Sequence, residues 1–277
     1  MNAKLFVKSL LPPILVDAVR SVSPGHRLES LYFTGDFRSW EEAEQASTGY
    51  AAPVILEKTR AALLRVKNGE AAYERDSVTF TTIVYSFPLL AGLLRATTAH
   101  DGRLSVLDFG GSLGSTYFQC RRFLSPLKEL RWSIVEQPAH VICGQKEFAN
   151  EHLRFYESIE TCLRVERPNV LLLSSVLQYL PKPYDLLWDL IRQAFDYIIV
   201  DRTAFLRSGR DRLTLEHVPA WIYPAVYPAW FLSEKRFLAL FADRYELLAS
   251  FPGLDTTQPD GDEADYKGFI FKRPDTR

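Results

Sequence analysis

The chain has 277 residues, of which 47% are hydrophobic and 24% charged, with a formal net charge of −1 and a pI of about 6.5. That is ordinary globular composition, with apolar material for one large core or a core plus a small accessory region. There is no dense Lys/Arg run, which argues against nucleic acid as a partner. Cys120, Cys143 and Cys162 are isolated thiols without a Cys-x-x-Cys pair. They fit a reducing cytoplasm and argue against a disulfide framework or a zinc site, so no metal is expected.

The first apolar stretch, Leu5 to Val22, reads LFVKSLLPPILVDAVRSV. Lys8, Pro12, Pro13 and Asp17 interrupt it, so it is too short and broken for a membrane span and poor as a secretory signal. It reads either as a short docking helix or, over residues 4–22, as an amphipathic element making peripheral membrane contact. Ser39-Trp40-Glu41-Glu42 has the Ser-x-x-Glu spacing of a helix start. Pro53 opens a second helix with Ile55, Thr59, Ala62, Leu63 and Val66 on one face, stopped at Asn68-Gly69. Residues 86–96 predict a third, with the β-branched stretch Val78 to Val84 before it leaving that boundary open.

Near residue 100 the pattern changes to short apolar runs separated by helix-length segments. The runs are Leu104–Phe109, Trp132–Val135, Leu153–Tyr156, Val170–Leu173, Tyr197–Val200, Tyr245–Leu248 and Gly268–Phe271. Continuous apolar strands alternating with helices predict a doubly wound α/β domain over residues 101–277, its mostly parallel sheet covered on both faces. Residues 1–100 form an N-terminal helical region, serving as lid, dimer surface or membrane-surface element. The polar stretch Asp255 to Asp265 reads as a solvated loop.

The first strand of that domain runs into Asp108-Phe109-Gly110-Gly111-Ser112-Leu113-Gly114. Glycines at a strand-to-helix turn let the backbone approach a ligand at the helix N-terminus. Against the dinucleotide pattern Gly-x-Gly-x-x-Gly, only Gly110 matches, because Ser112 and Ser115 take the other two places. Against acidic-x-Gly-x-Gly-x-Gly, the pattern of S-adenosylmethionine-dependent enzymes, Asp108, Gly110 and Gly114 match. A carboxylate beside the turn repels a pyrophosphate and attracts an ammonium. Glu136 closes the second strand 28 residues on, where a carboxylate can accept both ribose hydroxyls.

With these residues in place, Leu104 to Asp201 resembles the class I S-adenosylmethionine-dependent methyltransferases. More narrowly, the chain resembles a bacterial family of methyltransferases without a settled substrate. That likeness rests on Tyr50, the run Tyr73-Glu74-Arg75-Asp76, DFGGSLGS (108–115), VEQP (135–138), SSVLQYLP (174–181), DRT (201–203) and YPAW (227–230). The resemblance implies a seven-stranded Rossmann-like methyltransferase sheet with an antiparallel last strand. It implies S-adenosylmethionine as cofactor, its methionine end held by Asp108, Gly110, Gly111 and Gly114 and its ribose by Glu136. Phe155-Tyr156-Glu157 would border the adenine, and Ser174-Ser175 and Gln178-Tyr179 would lie near the transferable methyl. Ser112 departs from the pattern by placing a side chain where glycine is usual.

The acceptor side is less marked. Trp221, Tyr223, Tyr227, Trp230 and Phe231 follow the fifth strand among Pro219, Pro224 and Pro228. They read either as a cover packed on the sheet edge or as a rigid wall for a ring-shaped acceptor. Arg202, Tyr223, Tyr227 and Trp230 are the candidate acceptor contacts, and a small-molecule or saccharide hydroxyl is the expected acceptor. His217, alone among the five histidines in lying on this segment, is the candidate base. Glu74 and Asp76 stand in reserve, although that run reads equally as a salt-bridged surface corner. The rival enzyme class is a nicotinamide-dependent oxidoreductase, disfavoured by the glycine spacing and by Tyr179–Lys182 being one residue short of Tyr-x-x-x-Lys. A non-catalytic binding subunit of the same fold is the third reading.

Overall fold

The computed structural model describes residues 30–49 and 53–275. The expectations for residues 4–22 and for Tyr50 therefore lie outside the described residues. Strand β1 (Tyr32–Phe37) precedes helix α1 (Trp40–Gln45), where Ser39 Oγ accepts from Glu42 N at 3.2 Å. The return bond of the capping pair goes one residue early, from Arg38 N to Glu42 Oε2 at 3.0 Å. Helix α2 (Pro53–Lys67) buries the five expected positions. A hairpin of β2 (Tyr73–Arg75) and β3 (Val78–Phe80) follows, then α3 (Phe87–Ala99). The region read as helical thus also carries three strands.

All seven apolar runs are strands of one sheet. They are β4 (Arg103–Phe109), β5 (Glu129–Val135), β6 (Leu153–Tyr156), β7 (Val170–Ser174), β8 (Tyr197–Leu206), β11 (Glu246–Pro252) and β12 (Ala264–Lys272). Their order is β11-β12-β8-β7-β4-β5-β6, and β12 runs antiparallel to both neighbours while β6-β5-β4-β7-β8 pair parallel. This is the doubly wound, mostly parallel seven-stranded sheet expected, with its last strand antiparallel. Between the strands lie α4 (Ser115–Leu124), α5 (Pro138–Glu147), α6 (Ile159–Val165) and α7 (Pro183–Arg192).

Alternate residues of each strand feed opposite cores. Val106, Trp132, Ile134 and Val170 meet Leu63 of α2, Leu89 and Leu93 of α3, and Phe118 of α4. Leu107, Leu171, Leu173 and Ile198 meet Leu187 and Leu190 of α7, and Phe237 of α8 (Glu234–Ala239). Burial on both faces explains why these strands read as unbroken apolar runs. None of the described helices is long and apolar enough to cross a membrane.

One element differs from expectation. The segment read as an aromatic wall is a hairpin of β9 (Arg212–Val218) and β10 (Ala225–Phe231), completed by β1 in a three-stranded antiparallel sheet of order β1-β9-β10. Leu213, Leu215, Val226 and Trp230 pack under α1 with Ala43 and Trp40. The opposite face of this small sheet, carrying Glu216, Val218 and Tyr227, looks onto the end of the main sheet, where all three line the cavity described next.

Candidate functional site

The carboxyl ends of β4, β7 and β8 bring Asp108, Ser174 and Asp201 side by side, the last two as direct register partners. Ligands of open α/β sheets bind outside these ends. A cavity of about 170 Å³ lies there, floored by the glycine turn and roofed by α2, the β2–β3 hairpin and the β9–β10 hairpin. Seven described non-glycine residues have positive φ, and five of them (Asp76, Ser77, Ser112, Ser175 and Arg202) line this cavity. Backbone strain of this kind costs about 1–3 kcal/mol per residue and persists where the surroundings enforce it, typically at functional sites.

The glycine turn is built for close approach. Gly110 has φ +70°, and a Cβ there would collide with Val176 Cγ2. At Gly111 a Cβ would land on the Asp108 carboxylate, so the turn folds directly over that side chain. Ser112 adopts φ +53° and so takes the glycine-like conformation with a side chain attached. Gly114, φ +105°, caps α4 without lining the cavity.

Among the described residues, six carboxylates line the cavity (Glu74, Asp76, Asp108, Asp201, Glu216, Asp255) against two guanidiniums, Arg75 and Arg202. Arg202, on β8, ties two loops to the main sheet, pairing with Asp76 at 2.6 Å and Asp255 at 2.7 Å. Asp255, read from sequence as part of a solvated loop, is thus a cavity residue. Asp108, 1% exposed, accepts from Trp132 Nε1 at 2.9 Å, and burial pushes its pKa up to about 7. Glu74 is bound by Ser115 Oγ and by Ser77 N, and burial lifts it to about 7. Asp201 is lifted to about 6 and Glu216 to about 8, again mainly by burial. Uncompensated carboxylates in one buried space hold their protons because water cannot solvate the charge. The Tyr73–Asp76 run is therefore mostly buried, with Glu74 2% and Arg75 6% exposed, and only Asp76 reaches solvent as the salt-bridged corner expected.

The other sequence candidates divide. Ser175, Arg202, Tyr223 and Tyr227 line the cavity. His217 does not. Successive residues of a strand point to opposite faces, so Glu216 faces the cavity and His217 the α1 side. There its Nε2 meets Thr34 Oγ1 at 2.8 Å and its ring stacks on Tyr32 with centroids 4.4 Å apart. Trp230 is likewise turned away, its Nε1 donating to Leu180 O at 3.1 Å. Glu136 sits at the adjoining end of β5, outside the cavity lining, with Oε2 accepting from Gln137 N. The Tyr156 hydroxyl is committed to Glu166 Oε1 at 2.7 Å. Sequence reasoning missed Glu216 as well as Arg75, whose buried Nε and Nη1 have no hydrogen-bond partner.

No family model matches the sequence, and no curated protein matches it. Solved structures with a similar chain path include LepI in complex with S-adenosylmethionine, at 14% identity and a TM-score of 0.45. That match covers 66% of this chain and 46% of the LepI chain, so this chain spans about half of its length. The glycopeptide N-methyltransferase MtfA with S-adenosylmethionine matches at 11% identity and a TM-score of 0.45, covering 66% of this chain and 94% of that one. The N-terminal domain of EvdMO1, in the presence of S-adenosylhomocysteine and D-fucose, matches at 15% identity and a TM-score of 0.46. It covers 78% of this chain and 97% of that one.

Proposed function

We propose that the cavity binds S-adenosylmethionine and that the protein transfers its methyl group to a small-molecule acceptor. The observation that carries this reading is the excess of buried carboxylates over guanidiniums beside the glycine turn. Such a space repels a pyrophosphate and attracts a ligand bearing an ammonium and a sulfonium. Asp108 and Asp201 are suited to the cationic groups. Arg75, with two buried donors that make no hydrogen bond, is suited to the methionine carboxylate, since an unmet buried donor costs about 1–3 kcal/mol that a ligand oxygen would recover. Glu136, at the end of β5, is suited to the ribose hydroxyls, and Tyr156 borders that shelf. The bound donor supplies a methyl on a positively charged sulfur, open to in-line displacement. The protein holds the two reactants collinear and excludes water.

Residues before 100 contribute α2 and the β2–β3 hairpin to the roof, and we assign this region the role of a lid. A saccharide or another small hydroxylated molecule remains compatible with the Tyr223 and Tyr227 wall. The expectation of a hydroxyl as attacking group, however, rested on His217 as base, and that support falls with His217 facing α1.

Titration calorimetry with S-adenosylmethionine and NADH tests the donor. Micromolar binding of the first and none of the second is expected; the reverse identifies an oxidoreductase, and binding of neither a non-catalytic module. Arg75→Met should weaken S-adenosylhomocysteine about tenfold to hundredfold while leaving 5′-methylthioadenosine, which lacks the amino acid, unchanged. Glu136→Ala should weaken both ligands about tenfold, because both carry the ribose. Equal affinities in wild type and variant would remove Glu136 from the site.

A further inference from the structure

We propose that the acceptor is an amine, which enters as its ammonium ion and is received by the Glu216 carboxylate within a ring formed by Tyr179, Tyr223 and Tyr227. This rests on the donor reading above and adds the chemical class of the second substrate. Glu216 is 3% exposed on the roof of the cavity. Tyr179 donates to its Oε2 at 2.9 Å, and Tyr227, its cross-strand partner, donates to Oε1 at 3.4 Å. Tyr223 extends the ring, 3.4 Å from the Tyr227 hydroxyl. Neither cavity guanidinium forms an ion pair with Glu216: Arg202 is held by Asp76 and Asp255, and the acid nearest Arg75 is Asp76. The charges that act on it most, Asp76 and Asp255, are of its own sign.

Two tyrosine hydroxyls satisfy the oxygens of a buried carboxylate but do not neutralise it. A cation does both. A second observation points the same way. Gln178, 3% exposed and lining the cavity, spends its amide N–H groups on Ser175 Oγ at 3.2 Å and Arg202 O at 3.1 Å. Its Oε1, left without a partner, is an acceptor waiting for an N–H donor. A hydroxyl brings one proton to donate and no charge; an ammonium brings three N–H groups and the missing positive charge.

The chemistry balances in two moves. The Glu216 carboxylate takes one proton from the ammonium, leaving a neutral amine with a lone pair and a neutral carboxylic acid. The lone pair then forms the new nitrogen–carbon bond while the methyl–sulfur bond breaks and its electrons stay on sulfur. The product leaves as a methylated ammonium, and Glu216 returns its proton to solvent. Burial, which places the Glu216 pKa at about 8, keeps it close enough to an alkylammonium for that transfer.

The test is calorimetry on the protein loaded with S-adenosylhomocysteine at pH 8.5, using ethylammonium, cyclohexylammonium and benzylammonium against ethanol, cyclohexanol and benzyl alcohol. At least one ammonium should bind tenfold or more tighter than its alcohol. In Glu216→Gln that preference should shrink below threefold with S-adenosylhomocysteine affinity unchanged. Should Glu216→Gln fail to fold, Tyr227→Phe removes one hydrogen bond from the carboxylate and should move the midpoint of ammonium binding to higher pH. Alcohols binding as well as ammoniums, no probe binding at all, or a preference that survives Glu216→Gln or a midpoint unmoved in Tyr227→Phe each overturn the amine site. Failure of S-adenosylhomocysteine to bind wild type overturns the donor reading instead, and the same probe pairs on the ligand-free protein then still decide the amine site.

Discussion

Raising the pH from 5 to 8 is expected to destabilise the ligand-free protein by several kcal/mol, lowering its melting temperature by roughly 10 °C or more. Burial raises the folded-state pKa values of Glu74 and Asp108 to about 7, Asp201 to about 6 and Glu216 to about 8. In the unfolded chain these groups ionise near pH 4. Above that pH the unfolded state has released protons that the folded state still holds, so stability falls with rising pH until each folded-state pKa is passed. The exposed acids with lowered values, such as Glu129 and Asp265, lose their stabilising contribution only below about pH 5 and hold it unchanged above that, so they leave the window clear. His217, lowered by burial, works the other way and only up to about pH 6.5. A cationic donor favours the ionised carboxylates, so S-adenosylmethionine should release protons on binding at pH 7. It should also raise the melting temperature more at pH 8 than at pH 6. Thermal scans across pH with and without the donor measure both effects. A ligand-free melting temperature that holds or climbs between pH 5 and 8 would show that the cavity carboxylates are compensated, and would remove the reason for a cationic ligand.

The main sheet was legible because its central strands, β4, β7 and β8, are buried on both faces and so read as continuous apolar runs. The small sheet was not, because its signals point elsewhere. Pro228 sits within β10, which reads as a loop until β10 proves to be an edge strand, where a missing N–H costs no ladder bond. In β9 the sequence Arg212-Leu213-Thr214-Leu215-Glu216-His217-Val218 alternates with period two. That alternation, taken seriously, puts His217 on the face of Leu213 and Leu215 and Glu216 on the other. A one-residue difference in register therefore separates the expected base from the residue that faces the cavity. Polar side chains on an inward strand face look like a solvated surface until the partner sheet is known. Arg75 was hidden for a related reason: in sequence it stands between Glu74 and Asp76 and looks fully satisfied, whereas Glu74 is taken by Ser115, Asp76 bonds Arg202 at 2.6 Å and lies 4.0 Å from Arg75, and the Arg75 Nε and Nη1 are left without a hydrogen bond.

Asp108→Asn is expected to lower S-adenosylmethionine affinity about tenfold to hundredfold, the equivalent of a charge-assisted contact of roughly 1.5–3 kcal/mol. The position serves two roles that this substitution separates. Asp108 accepts from Trp132 Nε1, and Gly111 folds over its carboxylate, so the side chain supports the turn as well as charging the cavity. Asparagine keeps the shape and an oxygen for Trp132, and removes only the charge. Its effect should therefore appear with S-adenosylmethionine and S-adenosylhomocysteine, which carry the ammonium, and be absent with 5′-methylthioadenosine. Asp108→Ala should weaken all three, because Trp132, fully buried, then loses its acceptor at a cost of about 1–3 kcal/mol and the turn loses its support. Asparagine also takes one raised carboxylate out of the titration, so the ligand-free variant should lose less stability between pH 5 and 8 than wild type. Calorimetry with the three ligands and thermal scans across pH read these effects independently. If Asp108→Asn binds S-adenosylmethionine as wild type does while its pH profile flattens, Asp108 charges the cavity without touching the donor, and Asp201 is left as the ammonium's partner.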